Sequence, residues 1–414
     1  MAIFKPFQAL RPIPSEASHV AALPYDIVTR EEAAEIGRKE PHSFIHVDCA
    51  EIDLDADVDL YSAEVYGKAA ENLRNMEEMG ILRQDEKACY YIYQLSQGKI
   101  CQTGLVGASS IDDYLSGVVK QHEFTRRDKE EDRIRHVETC SAQTGPIFLA
   151  YRSSGEIRST LQSWKDSHEP VYDFTDDYGV RQLAWAVDDD STIAKLREAF
   201  EQVPALYIAD GHHRAAAAVK TGQKKRLENP SFTGEEPFNA FLAVAFPEDE
   251  LTILPYNRVV SDLNGRDVRA FLSAVKFNFE LMLMPAGFPC LPMERHCMGM
   301  YVDGQWYHLK AWDDVYQGKP PVQQLDVSIL QEKILKPILG IEDPRSDSRI
   351  CFTGEGTDLR ELEAMADRSG GVAFVMFATS MEELMNIADR GEVMPPKSTW
   401  FTPKLRSGLF IQKI

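Results

Sequence analysis

The chain has 414 residues and a hydrophobic content of 44%, which suits a globular protein of two or three domains. Its 45 basic and 65 acidic side chains leave a net charge of −20. Such a field repels nucleic-acid backbones and argues against DNA or RNA as partners, although a local cluster of Arg and Lys can still hold a small anion. No stretch approaches an apolar transmembrane length, Lys5, Pro6, Arg11 and Pro12 interrupt any secretory h-region, and seven scattered cysteines contain no Cys-x-x-Cys pair; a cytoplasmic protein with reduced thiols and no membrane partner is expected.

In chain order, Thr29 followed three residues later by Glu32 is a capping-box pattern ahead of a short helix. Phe44-Ile45-His46-Val47 reads as strand, which argues against His42 and His46 as a metal pair. Tyr61 to Met79 has helical periodicity through Val65, Ala69, Leu73 and Met76. From about Ala88 the texture changes: Cys89–Gln94 and Thr103–Ala108 read as strands joined by a Gly98-Lys99 turn. A charged segment, Lys120 to Arg135, follows the apolar Gly117-Val118-Val119. Ile147–Tyr151 and Leu183–Val187 read as strands, Leu161–His168 and Thr192–Gln202 as helices. Asn239–Phe246 and Leu251–Tyr256 read as strands. Beyond Ser261 the pattern predicts helices near Val268–Phe277, Val327–Leu335 and Leu359–Ala366, strands near Met300 and Trp306, a buried strand at Val372–Phe377, and a second capping box at Ser380 and Glu383. The boundaries drawn from this texture are 1–87, 88–260 and 261–414.

Three segments carry candidate chemistry. The first is Val203 to Val219. Leu206-Tyr207-Ile208 is a strand, Asp210-Gly211 breaks it, and Ala215–Ala218 are strong helix formers. The unpaired amides at such a helix start favour an anion. Arg214 adds a planar fork that matches phosphate oxygens, and Asp210 adds a carboxylate able to hold Mg²⁺ or accept a proton. The plain structural alternative is a helix capped by Asp210 with surface histidines. The second segment is Gln121 to His136. Here His122-Glu123 follows a strand's end, Glu123 offers a general base, and Arg126, Lys129 and Arg133 offer phosphate contacts; the alternative is a solvated helix laced with ion pairs. The third is Met394 to Gly408, where Lys397, Ser398 and Thr399 either bind an anionic group or belong to a stiff tether between domains. Neither a P-loop, nor a Rossmann fingerprint, nor a G-x-S-x-G elbow is present.

These residues carry a family resemblance. Leu23-Pro-Tyr-Asp26, Phe44-Ile-His-Val-Asp48, Lys120-Gln-His-Glu-Phe-Thr-Arg126, Asp128-Lys-Glu-Glu-Asp-Arg133, Gln143-Thr-Gly-Pro-Ile-Phe148, Ala209-Asp-Gly-His-His-Arg214, Leu254-Pro-Tyr-Asn-Arg258 and Met394-Pro-Pro-Lys-Ser-Thr399 identify the chain as a member of the DUF1015 family. Its Asp-Gly-His-His-Arg block is similar to the Asp-Gly-x-His-Arg block of free-serine kinases with a ParB/sulfiredoxin-like fold. The resemblance implies an α+β protein: a ParB/sulfiredoxin-like nucleotide-binding core over 88–260 with α+β extensions on either side. It implies Glu123 as catalytic base and Asp210 as a Mg²⁺ or substrate-hydroxyl partner. Gly211, His212, His213 and Arg214, with Arg126, Lys129 and Arg133, would face nucleotide phosphates. His122, Lys397, Ser398 and Thr399 would lie on the substrate side. The expected ligands are ATP or ADP, Mg²⁺ and free serine or a similar hydroxy acid. In this chain the His-Glu and Asp-Gly-His-His-Arg blocks stand further apart than in the small kinases. A ParB-like nucleotide-dependent regulator without an acceptor, and a nucleotide-free sensor of serine or phosphoserine, are the competing readings.

Overall fold

Apolar runs broken by Gly and polar turns form the sheet that organises the first part of the chain. In the computed structural model, which describes residues 1–354 and 357–414, nine strands make one mixed sheet. They are β1 (Phe4–Lys5), β2 (Tyr90–Gln97), β3 (Ile100–Ser110), β4 (Val119–Lys120), β5 (Ile147–Tyr151), β6 (Tyr172–Thr175), β7 (Arg181–Val187), β8 (Leu206–Asp210) and β9 (Ala240–Pro247). The order is β4-β8-β5-β9-β3-β2-β7-β6, with β1 antiparallel to β3. The β2–β3 hairpin closes through Gln97 opposite Ile100, around the turn expected at Gly98-Lys99. β9 is buried at almost every position because it lies between β3 and β5, so it reads as a continuous apolar run without alternation.

Two pairings in this sheet are parallel, β4 with β8 and β5 with β9. The first aligns Val119 with Leu206 and Lys120 with Tyr207. Parallel neighbours release their chains at the same edge, so the segments after Lys120 and after Asp210 emerge side by side.

Three helices frame that edge: α1 (Ala63–Glu78), α2 (Arg127–Cys140) and α3 (His212–Glu228). α1 starts at Ser62, whose hydroxyl accepts from the Val65 amide at 3.5 Å. α2 is not solvated all round: Glu130, Asp132, Arg133, His136 and Val137 are buried. α3 packs closely because Ala215 to Ala218 are small and buried. Lys224 pairs with Glu138 at 2.8 Å, and Lys220 pairs with Glu130, tying α3 to α2. Phe44–Val47 is not a strand. Ile45–Asp48 is a short helix with Ile45, Val47 and Asp48 buried, because tertiary packing overrides the β propensity of this run. His42 and His46 are not a metal pair; they bond Glu16 and Asp53, each at 2.8 Å.

The fold is α+β. The chain divides into two compact units, Met1–Leu251 with Pro403–Ile414, and Thr252–Thr402. These limits differ from the divisions drawn at 87 and 260. The N-terminal stretch contributes β1 to the same sheet as residues 88–251, and the C-terminal segment returns to the first unit, where Gln412 pairs with Gln143. The second unit holds a six-stranded antiparallel sheet in the order 279–283, 305–311, 297–302, 372–376, 257–260, 350–353. Both expected capping boxes form, at Thr29/Glu32 and Ser380/Glu383. The helix expected over 327–335 is an α-turn, Asp326–Leu330, continued by a π-turn, Gln331–Leu335. Among the described residues no helix is long and apolar enough to cross a membrane.

Gly222 sits where α3 meets the backbone of Phe238; a Cβ there would lie 2.3 Å from the Phe238 carbonyl oxygen. Gly222→Ala therefore forces the helix away and should cost about 1–3 kcal/mol, the usual penalty of overpacking. Urea denaturation at neutral pH checks this, and unchanged stability would contradict the close approach.

Candidate active site

The strand–turn–helix unit is built by a bulge and a left-handed glycine. β8 pairs antiparallel with β5, but its register shifts between Ile208 and Asp210, an irregularity of the kind that re-aims a strand end. Gly211 follows with φ 90° and ψ 31° and is the N-cap of α3, with no side-chain cap. A Cβ at Gly211 would lie 3.1 Å from Arg214 Nε, so glycine serves both the positive φ and the close approach. The first-turn amides of this 17-residue helix have no intrahelical acceptors.

Asp210 is therefore not the cap. Its Oδ1 accepts from the Gly211 amide at 2.9 Å and its Oδ2 from Lys404 Nζ at 2.8 Å. Burial pushes the Asp210 carboxyl up, but the charges of Lys404 and Arg214 outweigh it and hold the group well below the usual carboxylate range. It is an ionised group with both oxygens engaged. A resident Mg²⁺ on Asp210 does not fit this arrangement, because the Lys404 ammonium already stands on the carboxylate.

At the neighbouring strand end, His122 and Glu123 meet the start of α3. The His122 and His212 rings pack edge to face with centroids 4.5 Å apart. One ligand atom each from His122, Glu123 and His212 lies within 4.8 Å of the other two. Both rings are buried; burial pushes His122 down to about 4 and His212 well below its ordinary value, so both are neutral at pH 7. His122 Nδ1 and His212 Nε2 have no hydrogen-bond partner. His213, half-buried, accepts from the Arg126 amide at 3.0 Å and so joins the 121–126 segment to the helix start.

Arg214 turns inward. Its Nη1 donates to the Pro146 carbonyl at 2.9 Å, while its buried Nε has no partner. It faces a 30 Å³ cavity lined also by Tyr25, Asp48, Arg133 and His136. Those same four residues line a 220 Å³ cavity that reaches Lys129 and Tyr61. The Arg133 guanidinium lies 3.9 Å over the Tyr25 ring and pairs with Asp132 at 2.9 Å. Asp132 also accepts from Tyr66 Oη at 2.9 Å, Asp48 accepts from Thr144 Oγ1 at 2.9 Å, and His136 Nε2 bonds the Val47 carbonyl at 3.0 Å.

The structure thus brings together Glu123, His122, His212, His213 and Arg126, and places Arg214 with Arg133. Lys129 lies at the cavity, where Nζ donates to Tyr61 Oη at 3.0 Å. The Arg126 side chain is exposed and paired with Asp128 at 2.7 Å. Lys397, Ser398 and Thr399 belong to the second unit. There the Lys397 carbonyl accepts from Arg258 Nη2 at 2.8 Å, and Ser398 Oγ donates to the Pro395 carbonyl at 2.6 Å. Tyr25, Asp48 and His136 were not among the sequence candidates, and Lys404 stood out only as a basic residue of the 394–408 segment. Tyr25 and Asp48 lie in two of the family's blocks, and that was the available signal.

A sequence profile described as "Protein of unknown function (DUF1015)" matches residues 4–328, and the chain belongs to that family. No curated protein matches it. Among solved structures it is similar to a free serine kinase in complex with AMP, at 15% identity and a TM-score of 0.32, over 73% of this chain and 91% of that one. It is similar to SbnI with a C-terminal truncation from Staphylococcus aureus, at 11% and 0.38, over 74% and 87%. A conserved hypothetical protein from Pyrococcus furiosus matches at 14% and 0.34, over 75% and 95%. Likenesses at this level do not define an activity.

Replacing Lys404 with Met removes the ammonium from a half-buried Asp210 and leaves Arg214 as its remaining cation. Removing one partner of a partly buried charged hydrogen bond typically costs about 1–3 kcal/mol. Urea denaturation at pH 7 should show a loss of that order, and a loss below about 1 kcal/mol would mean that the pair does not hold the strand–helix junction.

Proposed function

We propose that the protein is a small-molecule phosphotransferase that moves a phosphoryl group from ATP or ADP to the hydroxyl of free serine or a similar hydroxy acid, with Glu123 as base. The observation that carries this reading is the position of Glu123, whose ligand atom lies within 4.8 Å of that of His212, the first residue of α3. A base and an anion-favouring helix start thus share one edge of the sheet.

In this reading the donor's phosphates lie against the amides of residues 212–214, where helix N-termini favour anions. Arg214, with its unpartnered buried Nε, adds a charged donor. Its fork turns toward the Tyr25–Arg133 cavity, which offers a cation for an acceptor's carboxylate. The acceptor hydroxyl stands beside Glu123. Glu123 takes its proton as the hydroxyl oxygen bonds to phosphorus, and the bond from phosphorus to the donor's bridging oxygen breaks. Positioning and electrostatics supply most of the rate in such a transfer. Mg²⁺ enters with the nucleotide as part of the substrate, and no step runs through a metal on Asp210. Gly211 and His213 shape the cradle: the glycine gives the backbone its turn, and His213 holds the 121–126 segment against it.

Phosphorus NMR of the protein with ATP or ADP, Mg²⁺ and a panel of hydroxy amino acids should show a new phosphomonoester. Glu123→Gln should lower turnover by about 10²–10⁴, the range for losing a general base, with nucleotide affinity nearly unchanged. Nucleotide hydrolysis with no acceptor product would instead favour a nucleotide-dependent regulator. Full phosphomonoester formation by Glu123→Gln would remove Glu123 from the role.

A further inference from the structure

His122, Glu123 and His212 have a property that phosphoryl transfer does not use. Two imidazoles are buried against one another, and each carries a ring nitrogen, His122 Nδ1 and His212 Nε2, with no hydrogen-bond partner. Buried polar atoms are nearly always satisfied, and an exception calls for an explanation. Here two exceptions occur in rings whose centroids are 4.5 Å apart, with a carboxylate at the same place.

From this geometry we propose that His122, Glu123 and His212 form a binding site for one first-row divalent transition metal ion, with Zn²⁺ as the reference occupant. Two imidazoles and one carboxylate make a three-donor set that leaves a fourth position open to water or a ligand. Nitrogen donors select zinc and its neighbours over Mg²⁺ and Ca²⁺, which prefer oxygen. The separations suit the assignment: ligand atoms within 4.8 Å of one another reach the edge of a tetrahedron with bonds of about 2.0 Å, roughly 3.3 Å, by side-chain rotation.

Metal binding here does not depend on phosphoryl transfer, but it would act on that transfer through Glu123. Ligation draws carboxylate electron density onto the ion and lowers the basicity of Glu123, so filling the site weakens the base. Transition-metal occupancy would then act as a brake on any transfer that depends on Glu123.

The test uses the full chain, stripped with a chelator and titrated with Co²⁺ alone, without nucleotide. About one equivalent should bind with the visible d–d bands of a low-coordinate N/O site, and Zn²⁺ should displace it while excess Mg²⁺ should not. His122→Ala and His212→Ala should each weaken binding by about 100-fold or more, since loss of even an outer-shell partner costs 10–100-fold. Glu123→Gln, nearly isosteric, should weaken it too and serves as the informative variant should the histidine variants misfold by circular dichroism. No saturable band in the wild-type protein would overturn the proposal. So would thiolate charge-transfer bands, or Co²⁺ binding that is unchanged in the folded variants. Because the titration contains no nucleotide or acceptor, its failure leaves the Glu123 turnover experiment untouched.

Discussion

Val119 and Lys120 pair in parallel with Leu206 and Tyr207, and most of the candidate chemistry follows from that short ladder. It delivers the 121–126 segment to the amino end of α3, so that His122 meets His212 and the Arg126 amide meets His213. An antiparallel pairing would have released the two segments at opposite edges. The bulge at the end of β8 and the left-handed Gly211 then set the direction in which α3 leaves. The small residues of α3 let it lie close, with α2 beside it carrying Arg133 into the interior.

The electrostatics of the edge run against those of the whole molecule. The chain carries a net charge of −20, yet the groups turned inward here are Arg133, Arg214 and Lys404. Each cation is held by a specific partner: Asp132 for Arg133, the Pro146 carbonyl for Arg214, Asp210 for Lys404. Asp210 illustrates the cost of such placement. Burial alone would favour its protonation, and only the neighbouring cations keep it ionised. A carboxylate so committed orders the junction between β8 and α3, while Glu123 on the adjoining segment stands beside the two histidines.

Much of the local structure was legible in the sequence. The β2–β3 hairpin, the helix of residues 63–78 and the strand–glycine–helix unit all follow from short-range signals: period, turn residues and small helix formers. What escaped was set by distant contacts. Ile45–Asp48 is helical because its apolar side chains are taken into the core, although its β-branched residues suggest a strand. The inward face of α2 was invisible to hydropathy because Glu130, Asp132, Arg133 and His136 are buried through ion pairs and hydrogen bonds instead of apolar packing. His122-Glu123 and the 210–214 block could each be named as candidates. Their meeting depends on a strand pairing between segments far apart in sequence. The partner of Asp210 arrives from still further, because residues 403–414 return to the first unit and bring Lys404 to its carboxylate.

The proposed phosphoryl transfer needs one convergence: the start of α3 and the His122-Glu123 segment must bind the nucleotide at the edge they share. Hydrogen–deuterium exchange with and without ADP reads this most directly. Slower exchange is expected in peptides covering 119–126 and 206–215 together, with saturation at the same ADP concentration. Protection confined to one of the two segments, or found only elsewhere in the chain, would contradict it.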